Sequence, residues 1–138
     1  ATMIAELGLA LDAIGNTPGV NGLLVSSSKD GFLAGADIQA LQALFDETAE
    51  SVTRFSLDMN RMLSRLSDLP VPVVTAITGY ALGGGLEFAL FSDFRVLAAD
   101  GRVGFPEVGL GILPGAGGTV RLPRLIGASA ALEWIAGV

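Results

Sequence analysis

The chain has 138 residues, a net charge of −6 and a mean hydropathy of +0.61, with 51% hydrophobic and 16% charged residues. One domain this apolar must be mostly core, or must have its surfaces covered by partners or by further chain. The negative charge and the scattered arginines exclude a nucleic-acid backbone as partner and give no support to a basic membrane-surface helix.

In chain order, residues 3–14 place apolar side chains at helical spacing and stop near Gly15 and Asn16. The opening ATMIAELGLALDAIG has no basic segment and carries Glu6 and Asp12, so it does not read as a secretory leader. GVNGLLVSSS (19–28) predicts a turn and a short buried strand, and KDGFLAGAD (29–37) a turn and a glycine-bearing loop. Residues 38–46 and 48–66 predict helices, the second with Phe55, Met59, Met62, Leu63 and Leu66 on one stripe.

LPVPVVTAIT (69–78) is apolar and rich in β-branched residues, as a parallel strand covered on both faces should be. The uncharged run from Leu69 to Leu86 is long enough to suggest a membrane span. Pro70, Pro72, Gly79 and Gly83–Gly85 break it into a strand and a loop, so a span is rejected. GGGLEFALFSD (83–93) opens a short buried helix, and FRVLAAD (94–100) predicts another strand. Residues 101–120 read as a Gly/Pro-rich loop, and the remainder is helical. Strands alternating with helices predict a single α/β domain over residues 1–138 with a mainly parallel sheet.

The chain contains no cysteine and no histidine. That removes disulfides, Cys/His zinc sites and Ser-His-Asp or Cys-His catalysis, and no metal site is expected. Lys29 is the single lysine and lies in a polar turn, a poor place to desolvate an amine for Schiff-base chemistry. Any acid–base chemistry therefore falls to carboxylates. The absence of cysteine also fits a reducing, cytoplasmic location.

Three segments can carry that chemistry. In FLAGADI (32–38), Gly35 lets the backbone turn and leaves the Ala36 N–H open, while Asp37 can simply cap the next helix. In GGGLE (83–87), glycines at a helix start leave bare N–H groups, with Glu87 one turn in. A helix apolar around its whole circumference makes an unpaired Glu87 costly by roughly several kcal/mol, which favours a functional role over decoration. In FPEVGLGILPGAGG (105–118), Pro106 fixes the backbone before Glu107, and the glycines allow tight reversal. Neither glycine-rich segment matches a phosphate-binding or dinucleotide-binding loop. Together the Ala36 and Gly84 amides can form an oxyanion hole, with Glu87 and Glu107 in one apolar cleft. That set suits chemistry beside a carbonyl.

GADI, GYALGGGLE and FPEVGLGILPGAGG resemble the signature segments of the crotonase (enoyl-CoA hydratase/isomerase) superfamily. Within it, LPVPVV, GYALGGGLE and RLPRLIGASAALEWIAG are most similar to the hydratase part of bacterial fatty acid oxidation complex alpha subunits. The resemblance implies a spiral of ββα units and an acyl-CoA thioester substrate. It implies thioester-oxygen binding at Ala36 and Gly84, and water and proton handling by Glu87 and Glu107. It places further substrate and CoA contacts at Ala34, Gly35, Asp37, Ile38, Gly83, Pro114 and Gly115. It implies no cofactor beyond the coenzyme A of the substrate, a homotrimer or hexamer, and a thiolase partner in an oxidation complex. The family domain is about twice this long, so an N-terminal β-segment and C-terminal helices are expected outside these residues. Hydration of 2-enoyl-CoA is the leading activity. A Δ3-Δ2 enoyl-CoA isomerase and a catalytically silent assembly or binding paralogue are the alternatives.

Overall fold

The structure, a computed structural model, describes residues 2–137. Helix α1 (Thr2–Gly15) leads to strand β1 (Leu23–Val25), and helices α2 (Ile38–Phe45) and α3 (Ala49–Ser67) follow. Strands β2 (Val73–Ile77) and β3 (Tyr80–Leu82) precede the short helix α4 (Gly84–Ala89). Strands β4 (Phe94–Leu97) and β5 (Arg102–Gly104), a 3-10 turn (Glu107–Leu110), and helices α5 (Gly118–Ile126) and α6 (Ala128–Ala136) complete the fold.

Every strand pair is parallel. One sheet has the order β1-β2-β4 and the other pairs β3 with β5. The apolar run around β2 is explained by its central place, with Val73, Thr75 and Ile77 buried on the core side. β1 departs from the expected buried strand: it is an edge, and Leu24 is 66% exposed. β3 and β5 are too short to show alternation, which is why 101–120 reads as loop although residues 102–104 pair with 80–82. The final helical stretch is two helices, because Gly127 at φ +85° ends one and starts the other.

The core wraps α4. Phe88 and Phe91 pack with Leu63, Leu66 and Val73, and Leu86 and Leu90 with Phe105, Leu122 and Ile135. Ala89 meets Ile77 and Ala81. Full burial of such large side chains contributes about 1.5–3 kcal/mol each, enough to hold a two-turn helix that would not persist alone. Of the α3 stripe, Leu63 and Leu66 are buried, Met59 and Met62 half-buried, and Phe55 lies exposed at the near end.

Candidate active site

Three parallel segments bring the chemistry to one edge. Leu33 forms a parallel bridge with Ala81, and Leu82 pairs with Gly104 across β3 and β5. Their chain directions agree, so the residues just beyond them converge at the carboxyl ends of the strands: Gly35 and Ala36, Gly83 and Gly84, and Phe105 to Glu107. Open parallel sheets offer their ligand sites there.

Glycine makes this convergence possible. Gly35 has φ +92°, and a β-carbon on it would stand 3.0 Å from the Gly84 nitrogen and from the Leu82 carbonyl oxygen. A β-carbon on Gly83, at φ +54°, would come within 2.7 Å of Glu107 Oε1. The point where a Gly84 β-carbon would sit lies 3.8 Å from the Ala36 nitrogen and 4.0 Å from Glu87 Oε2. Ala36, Gly84 and Glu87 thus border one small space, with Glu107 against the neighbouring Gly83. Among the described residues, neither the Ala36 nor the Gly84 N–H donates to a protein acceptor.

Glu87 is 3% exposed on α4. Its Oε1 accepts from the Ala116 N–H at 2.7 Å and the Gly118 N–H at 2.8 Å. Both amides belong to the turn that starts α5, where the helix dipole favours negative charge. Burial pushes the Glu87 carboxyl above its ordinary range; the Gly118 and Ala116 amides pull the other way, and the Glu107 charge adds to the rise. Glu107 is 9% exposed at the start of the 3-10 turn, and its Oε2 is buried without a protein partner. Burial raises its pKa too, opposed by its own backbone amide. Two carboxyl groups thus share an apolar site, one anchored by amides and one with an oxygen left open.

The other predicted contacts divide. Asp37 caps α2, its Oδ1 accepting from the Gln39 and Ala40 amides, as the simpler reading of that loop expects. Ala34 and Ile38 are exposed beside it. Pro114 is buried, and the Gly115 carbonyl is held by Ser56 and Asn60 of α3. The carboxylate anchors, Ala116 and Gly118, escaped the sequence reading; their signal is a glycine pair immediately before an amphipathic helix. Beside Ala36 opens a groove of about 340 Å3 lined by Ala40, Leu41, Leu44 and Phe55 among others. Asp37 and Glu47 also line it, whereas Glu87 and Glu107 do not. No group of three or more acidic side chains among the described residues is arranged to hold a metal ion.

The fold and this pairing define a crotonase-type domain, and the chain belongs to the enoyl-CoA hydratase/isomerase family, whose model matches residues 1–136. It is 52% identical over 133 residues to the fatty acid oxidation complex subunit alpha of Pseudomonas paraeruginosa, covering 96% of this chain but 19% of that protein. Among solved structures it is similar to an enoyl-CoA hydratase from Bacillus anthracis, with TM-score 0.86 and 36% identity over 97% of this chain and 51% of the other. An enoyl-CoA hydratase from Polaromonas sp. JS666 gives TM-score 0.89 at 28% identity, covering 97% and 52%. The chain therefore spans about a fifth of the curated relatives' length and about half of the structural neighbours'.

Proposed function

We propose that this domain carries the hydratase centre of a 2-enoyl-CoA hydratase acting in fatty acid oxidation. The observation that carries the reading is two buried carboxyls, Glu87 and Glu107, on separate elements beside the free amides of Ala36 and Gly84. The amides would receive the thioester oxygen as enolate charge develops on it. Glu87, whose ionised form is supported by two N–H donors, takes a proton from water as the hydroxyl adds to C3. Glu107, whose carboxyl burial shifts toward its protonated form, supplies the proton to C2. Proton exchange between the two carboxyls through water restores both.

The apolar groove beside Ala36 suits a hydrocarbon tail. The names of the relatives support a place in a fatty acid oxidation complex; a thiolase partner and a homotrimeric or hexameric assembly are part of the proposal. A cytoplasmic location belongs to the same reading; no helix among the described residues is long and apolar enough to cross a membrane. Coenzyme A enters as part of the substrate, and no separate cofactor is required.

The test is the loss of enoyl-thioester absorbance when the complete protein meets crotonyl-CoA. Turnover supports hydration. Conversion of a 3-enoyl-CoA without hydration would move the assignment to an isomerase, and CoA binding without turnover to a silent paralogue.

A further inference from the structure

Glu87 is anchored by a peptide that is itself anchored from the far side. The Gly115–Ala116 peptide is trans, so its carbonyl and its N–H point in opposite directions from one plane. The Ala116 N–H donates to Glu87 Oε1 at 2.7 Å. The Gly115 carbonyl oxygen accepts from the Ser56 hydroxyl and, at 3.2 Å, from Asn60 Nδ2. Ser56 and Asn60 stand four residues apart on one face of α3, and Asn60 Nδ2 also donates to the Ser56 carbonyl at 3.1 Å. Asn60 Oδ1 borders Gly117, where a β-carbon would meet it at 2.9 Å.

This use of α3 is specific. A helical serine commonly bonds back to the carbonyl four residues before it, and asparagine is a weak helix former. Here the Ser56 hydroxyl leaves its own helix, and Asn60 Nδ2 is shared between the Ser56 carbonyl and the Gly115 carbonyl. The two side chains thus hold the same distant carbonyl, 59 and 55 residues away in sequence. A planar peptide gripped at its oxygen cannot swing its N–H away from the carboxylate. Hydrogen bonds on a carbonyl also polarise the peptide and strengthen its N–H as a donor.

We infer that Ser56 and Asn60 are positioning residues for the reaction: through the Gly115–Ala116 peptide they orient Glu87 and favour its ionised form. The inference rests on the assignment of Glu87 as the base in the proposed hydration. It ties α3 to the catalytic carboxylate, although neither side chain need meet substrate.

The experiment follows the Glu87 carboxyl by 13C NMR through a pH titration of the 138-residue chain. The chain carries Phe94→Lys and Val96→Lys on its exposed sheet face to keep it monomeric. That background is compared with the same chain bearing the double variant Ser56→Ala, Asn60→Ala. Alanine is the better helix former at both positions, so α3 itself is not weakened. Loss of the grip should raise the Glu87 midpoint by roughly half a unit to one unit, the scale of a weakened charge-assisted hydrogen bond. Ser56→Thr keeps a hydroxyl and should stay nearer the background. In the complete protein, the acid limb of the hydration pH profile should move the same way, with kcat falling and KM unchanged. An unchanged Glu87 midpoint in the folded double variant overturns the inference, whatever happens to melting temperature. Absence of hydration by the wild-type protein would instead sink the proposed function, and the NMR titration would still decide the relay. If the double variant does not fold, Ser56→Ala alone is read by the same midpoint.

Discussion

The Gly118 amide nitrogen stands 2.8 Å from Glu87 Oε1, and Gly118 can carry no side chain without disturbing that residue. A β-carbon there would meet the Phe105 ring at 2.8 Å and Glu87 Cγ at 3.1 Å. The N-terminus of α5 thus reaches a buried carboxylate because its first residue is the smallest available.

Gly118→Ala is expected to push Glu87 and Phe105 apart. Overpacking of this kind costs about 1–3 kcal/mol in stability. A displacement of ~1 Å at the reacting group can lower turnover by about 10²-fold. Hydration kcat and thermal unfolding, measured together on the complete protein, check both; wild-type kcat would show that Glu87 does not depend on this approach.

The oxyanion reading is tested at Gly35. Gly35→Ala places a β-carbon 3.0 Å from the Gly84 nitrogen at a φ of +92°, so it adds strain and separates the two amides. Loss of one oxyanion donor typically lowers kcat by about 10²–10³-fold. The expected result is a fall in kcat exceeding any change in KM. Gly84→Pro should abolish turnover by removing the donor itself, though it also disturbs the start of α4.

The two carboxyls should be separable by reaction. In the complete protein, Glu87→Gln and Glu107→Gln should each lower hydration kcat by about 10²–10⁴-fold. The double variant should lose little more, because the pair acts as one unit. Isomerisation of a 3-enoyl-CoA needs one base and should suffer chiefly from Glu107→Gln. Near-normal hydration by Glu87→Gln would end the two-carboxyl mechanism.

Glu107 should limit stability in a pH-dependent way. Its folded pKa is raised above the unfolded value of 4.5, so the folded state binds more protons than the unfolded state above that pH. Its stability contribution is complete below pH 4.5 and is lost as pH rises through the raised value. Glu107→Gln should therefore raise the melting temperature at pH 7, and the gain should vanish near pH 4. A gain of equal size at both pH values would assign the effect to packing instead of ionisation.

The outer face of the first sheet predicts self-association. Leu24, Phe94 and Val96 are 66%, 62% and 59% exposed, and pairing sets Leu24 and Phe94 on either side of the half-buried Val74. The isolated 138-residue chain should associate at micromolar concentration in sedimentation experiments. Phe94→Lys with Val96→Lys should shift it toward monomer. A wild-type chain that sediments as a stable monomer would contradict this.

Sequence alone determined the elements whose signals are local. The α3 stripe, the apolar β2 run and the glycines before Glu87 are legible because hydrophobic period and glycine placement act within a few residues. An all-apolar helix carrying one acid already singled out Glu87, since an unpaired buried charge has no cheap structural reason. Tertiary structure decided what depends on distant partners. β3 and β5 are strands only because each pairs with the other, and β1 is exposed because it lies at a sheet edge. The partners of Glu87 lie 29 and 31 residues away, on backbone amides that leave no mark in residue type. Ser56 and Asn60 read as ordinary polar positions on a helix until the fold lays the Gly115 carbonyl across them. Side-chain chemistry is written along the chain, whereas the direction of a peptide plane is fixed only when the chain closes on itself.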